Sequence, residues 1–76
     1  MNKEFNTQDI WLSAFLKAKG LRLTHIGGES RRAIFIFEDI KEREELVKEF
    51  YNNALVGITT LKNAMTDLKS AIFNMI

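Results

Sequence analysis

One short run constrains the fold of this chain more than any other segment. Arg31-Arg32-Ala33-Ile34-Phe35-Ile36-Phe37 is rich in β-branched and aromatic residues, and it is apolar at odd and even positions alike. Such a run predicts a strand. A strand apolar on both sides is normally covered twice, by helices on both faces or by a partner molecule. The preceding Leu21-Arg22-Leu23-Thr24-His25-Ile26 alternates, and Gly27-Gly28-Glu29-Ser30 supplies turn residues between the two, so a β-hairpin is expected. Leu21 and Leu23 must share a face with Phe35 and Phe37, so odd pairs with odd and the cross-strand sum is even. That parity favours an odd-length loop or a bulge over a two-residue turn. An isolated hairpin is marginal in water, and residues 2–6 are a candidate short third strand.

Helical spacing governs the rest. Trp11, Leu12, Phe15 and Leu16, widened by Ala14 and Ala18, form an apolar stripe between a cap at Asn6 or Thr7 and a stop at Gly20. Capping by Asn6 would pair Phe5 and Ile10 as a hydrophobic staple, and Asp9 would favour the positive end of the helix dipole. From Glu38-Asp39 the helical pattern returns, with Leu46, Val47, Phe50 and Tyr51 apolar, until Asn52-Asn53 and Gly57 interrupt it. In residues 54–76, Ile58, Leu61, Met65, Leu68, Ile72 and Met75 follow steps of three and four, a heptad seam. That seam has two uses: a core stripe against the chain's own hairpin and first helix, or an interface pairing with a second copy. The two are compatible if opposite faces of the helix serve them, and the six residues are expected to form the interface of a homodimer.

Composition bounds the alternatives. The 76 residues contain no cysteine and no proline, and their formal net charge is +1. Length allows one small domain, and the absence of cysteine excludes a disulfide scaffold, a cysteine–zinc site and a thiol nucleophile. A domain this small buries only about 60% of its unfolded surface, so self-association is the expected source of added stability. The longest uncharged stretch, Phe50 to Leu61, is 12 residues, too short to span a membrane. Without an apolar leader behind Met1, a cytoplasmic location is expected.

With these elements placed, the sequence resembles a family of short uncharacterised bacterial and phage proteins, a domain of unknown function. The resemblance rests on Thr7-x-Asp9 leading into Leu12-x-Ala14-Phe15-Leu16-x-Ala18-x-Gly20. It continues through Phe35-x-Phe37-Glu38, Phe50-Tyr51 and Leu68-Lys69. It spans roughly residues 5–73 and implies one α-β-β-α-α domain, with no established activity and no functional residues to transfer. The family's usual glycine after the aromatic pair is replaced here by Asn52-Asn53.

Few residues offer chemistry. His25 is the sole histidine and, at an odd position, is expected on the face of Leu21 and Leu23; with Glu29 or Ser30 nearby it could act as a general base, or be a half-exposed strand residue beside a turn. Gly27-Gly28-Glu29-Ser30 lacks the helix start and the Lys-Ser/Thr of a phosphate cradle, so a turn is the better reading. Residues 17–32 carry +4, from Lys17, Lys19, Arg22, Arg31 and Arg32 less Glu29. Arg22, Arg31 and Arg32 are therefore the nucleic-acid candidates, on a basic β-ribbon that could lie along phosphates. The alternative is a solvated rim, neutralised by residues 38–49, which carry net −3. Trp11 reads as core or interface rather than a ligand platform. Glu38, Glu42, Glu45 and Glu49 are interleaved with Lys41, Arg43 and Lys48, which suits a solvated helix face better than a metal site.

The expectation is a single α+β domain ordered helix, hairpin, helix, long helix. No catalytic, cofactor or metal residues are assigned. The expected function is a non-enzymatic, self-associating accessory or interaction module, with a small nucleic-acid-binding regulator as the alternative.

Overall fold

The doubly apolar run becomes the middle of a sheet. The computed structural model describes residues 3–74. Its elements are β1 (Glu4–Thr7), α1 (Ile10–Ala18), β2 (Leu23–Glu29), β3 (Arg32–Glu38), α2 (Arg43–Tyr51) and α3 (Ile58–Phe73). The sheet is antiparallel in the order β1-β3-β2. The third strand therefore exists, within Glu4–Thr7, and pairs Phe5 with Phe37 and Thr7 with Phe35.

That strand displaces the expected start of the first helix. Asn6 and Thr7 belong to β1, and Asp9 caps α1 instead. Its Oδ1 accepts from the backbone N–H of Trp11 at 2.9 Å and of Leu12 at 3.2 Å, which satisfies two otherwise orphaned donors. Thr7 Oγ1 in turn accepts from Asp9 N–H at 3.1 Å. The far end stops where glycine predicts. Gly20 has φ +94, Leu21 N–H donates to Leu16 O and Gly20 N–H to Lys17 O, both at 3.0 Å. Leu16 and Leu21 are both buried, completing a Schellman stop.

The hairpin solves its parity problem inside a strand. Leu23 pairs with Phe37, an even sum, but His25 pairs with Ile36 across a bulge between Leu23 and His25. The rest of the hairpin then closes on a two-residue turn, Ser30-Arg31, and Gly27, Gly28 and Glu29 lie in β2 rather than in the turn. Thr24 Oγ1 donates to Ile36 O at 2.9 Å and secures the bulge. One consequence corrects the sequence reading. The extra residue turns His25 away from the face of Leu23, onto the side of the sheet opposite the core, where it is exposed.

All three helices lie on one side. Phe35 and Phe37 of β3 are buried with Leu12, Phe15 and Leu16 of α1, Leu21, and Met65 and Leu68 of α3; burying such a side chain contributes about 1.5–3 kcal/mol. Ser13 is also fully buried, and its hydroxyl donates to Asp9 O at 2.8 Å, so no polar group is stranded there. The domain is two layers, 34 × 33 × 17 Å.

The acidic helix begins later than its charge pattern suggests. Glu38 ends β3, and α2 starts only at Arg43, so the Glu38/Glu42 pair does not share a helix. Arg43 Nε donates to Asp39 Oδ1 at 3.0 Å, and its guanidinium lies 4.4 Å from the Phe5 ring centroid. Asp39 N–H donates to Lys3 O at 2.9 Å, so this cluster ties β1 to the start of α2. The Arg43 hydrogen bond and charge hold the Asp39 carboxyl below its ordinary range. At the other end Asn53, φ +57, takes the left-handed position usually given to glycine, and Ala54 N–H donates to Glu49 O at 3.0 Å. Residues 54–57 carry no regular secondary structure, so α3 begins only at Ile58, later than the expected 54.

Candidate functional site

The heptad seam is occupied within the chain. Met65 is 7% exposed and Leu68 1%, while Leu61 and Ile72 are half-buried against the same core. α1 is the main neighbour of α3. Of the five described seam residues only Ile58, 84% exposed, remains open; the sixth, Met75, lies outside the described residues. Sequence spacing identified the stripe correctly, but the partner that meets Met65 and Leu68 is α1 and the sheet.

Two apolar surfaces stand out among the described residues. The first is a groove of about 420 Å³ between α1 and α3, floored by Leu61 and Met65 and walled by Trp11 and Ile58. Trp11 is 58% exposed, an indole standing on the rim rather than in the core. Lys62 and Lys69 line the same groove, and neither has an ionic partner among the described residues. The apolar stripe supplies Ile58, Leu61 and Met65 of this groove, whereas Trp11, about fifty positions away in sequence, joins them only in the fold.

The second surface is the sheet face away from the helices. Ile34 and Ile36 project there, half-buried, because they alternate with the core-facing Ala33, Phe35 and Phe37. Glycine makes that partial burial possible. A Cβ on Gly27 would sit 3.6 Å from Ile36 Cδ1, and one on Gly28 would sit 3.5 Å from Ile34 Cγ1, so both isoleucines lie over bare backbone of β2. β2 is an edge strand.

The remaining sequence candidates do not converge. His25 and Glu29 lie four residues apart on β2, about 13 Å at strand rise, and the close neighbour of His25 Nδ1 is Thr24 Oγ1 at 3.4 Å. Arg22 approaches Glu38 at 3.9 Å, at the opposite end of β3 from Arg32, about 20 Å away. Arg31 sits in the turn. The three arginines therefore form no single patch. Among the described residues, no group of three or more histidines or carboxylates stands where it could hold a metal ion. No helix of the described residues is long and apolar enough to cross a membrane.

Fold and surface together define a small two-layer α+β domain with two uncommitted apolar faces. Residues 2–74 match the family described as Domain of unknown function (DUF5659), and the chain belongs to that family. No curated protein and no solved structure matches it.

Proposed function

We propose that this protein is a non-enzymatic interaction module that self-associates through the open side of its sheet. The observation that carries the reading is the one-sided layering: β3 is apolar on both faces, and the helices cover only one. A second copy laid face to face against Ile34 and Ile36 would supply the missing cover, as two sheets do when their apolar faces pack. The dispersed arginines and the isolated His25 support the non-enzymatic, protein-directed reading over a nucleic-acid or catalytic one.

Light scattering on the purified chain, from micromolar to millimolar, tests this. The expected mass is twice the 8.8 kDa of one chain, falling to one chain in an Ile34→Lys/Ile36→Lys variant whose circular dichroism is unchanged. A wild-type chain that stays monomeric throughout overturns the proposal. So does a folded double variant that keeps the dimer mass.

A further inference from the structure

The groove between α1 and α3 presents a different recognition problem from the sheet. Its floor and walls are Leu61, Met65, Trp11 and Ile58, and its only charged lining residues are Lys62 and Lys69. The two lysines are seven residues apart on one helix, two turns, about 10 Å along the axis at about 1.5 Å per residue. The single acid of α3, Asp67, lies 4.0 Å from Lys17 and is not among the groove residues. The groove is thus apolar at its centre and uniformly positive along one side.

We infer that this groove binds an acidic amphipathic helix of a partner protein. A groove of this volume takes a few side chains, within the range of small binding clefts. A helix laid along α3 repeats the same geometry. Carboxylates at i and i+7 reach Lys62 and Lys69, while apolar residues at i+3 and i+4 enter between Trp11 and Met65. A second copy of this chain fits the groove poorly. Antiparallel pairing of two α3 helices about Met65 would bring Lys62 beside Lys69 of the other copy, and like charges there repel. The partner is therefore marked by two carboxylates straddling an apolar pair. This inference concerns a surface separate from the sheet face, and either can fail without the other.

Trp11 is the only tryptophan and stands in the groove wall, so its fluorescence reports occupancy directly. The probe is an alanine-based helical peptide of four turns, free of aromatic residues, with Glu, Leu, Leu and Glu at i, i+3, i+4 and i+7. Its counterpart carries Lys at both Glu positions. The expected result is a saturable blue shift of Trp11 with the Glu peptide, weakening as salt rises, and weaker binding of the Lys peptide. A Lys62→Glu/Lys69→Glu variant, altered only at exposed positions, should lose about tenfold in affinity for the Glu peptide and reverse the preference. Equal binding of both peptides, or no saturable shift, overturns the inference. So does a Trp11 shift produced by dilution of the protein alone, which would place a second copy in the groove. A shift produced by a DNA duplex but not by the Glu peptide would assign the lysines to phosphates instead.

Discussion

Replacing Leu68 by Ala and, separately, Ile58 by Ala distinguishes the two uses of the heptad seam. Both residues are on the stripe, and sequence spacing treats them alike. The structure does not: Leu68 is 1% exposed among Phe35, Phe37 and Leu16, whereas Ile58 is 84% exposed. Truncating a fully buried leucine removes its transfer free energy and leaves a cavity, together about 3 kcal/mol with a range of roughly 2.7–5. A domain of this size has a total stability of about 4–11 kcal/mol at roughly 0.05–0.15 kcal/mol per residue, so Leu68→Ala forfeits a quarter or more of it. Ile58→Ala should stay within about 0.5 kcal/mol of wild type, as exposed substitutions do. Urea unfolding followed by far-ultraviolet circular dichroism reads both. With a slope of about 1 kcal/mol/M, the midpoint of Leu68→Ala should fall by about 3 M and that of Ile58→Ala by less than about 0.5 M. Leu68→Met, which conserves volume, should recover most of the loss. A costly Ile58→Ala beside a tolerated Leu68→Ala would mean that the seam faces outward and would refute this assignment.

Two further expectations concern the elements that frame these surfaces. Gly28 has φ +75, and a Cβ there would run into the carbonyl oxygen of Arg32. Gly28→Ala should lower stability by more than about 1–2 kcal/mol, the left-handed cost alone, while Gly27→Ala, which meets only Ile36 Cδ1 at ordinary contact, should be nearly neutral. Thermal melts that rank the two the other way would refute the local geometry. Asp39, its carboxyl held below the ordinary range by Arg43, gives folding a contribution that is complete above about pH 5. It is lost as pH falls through the folded-state value. Melting temperatures of wild type and Asp39→Asn should therefore differ near neutrality and converge in acid. A gap that persists unchanged at low pH would remove the ion pair from the account.

Much of the fold was legible from local chemistry. Gly20 marks the end of α1 because a left-handed residue without a Cβ is needed there, and Asn52-Asn53 marks the end of α2 for a similar reason. The alternation of residues 21–26 and the aromatic run of 33–37 named the hairpin, since side chains on a strand point alternately to two faces. β1 was legible only weakly. Glu-Phe-Asn-Thr has little strand character of its own, and pairing with β3 holds it in place. The same holds for the bulge, which arises where the register of Leu23 with Phe37 must be reconciled with a two-residue turn. Because of the bulge, His25 lies on the face opposite to the one its odd position predicts.

The candidate surfaces divide along the same line. By itself the sequence determined that a helix with one apolar stripe lies within residues 54–76, and that residues 33–37 form a strand apolar on both sides. An apolar stripe has the same spacing whether it meets α1 or a second chain, because the hydrophobic effect carries no direction. Only the tertiary structure decided that Met65 and Leu68 go inward, and that the helices cover just one face of β3. Only it placed Trp11 beside Lys62 and Lys69, since that neighbourhood is a product of how α1 docks on α3.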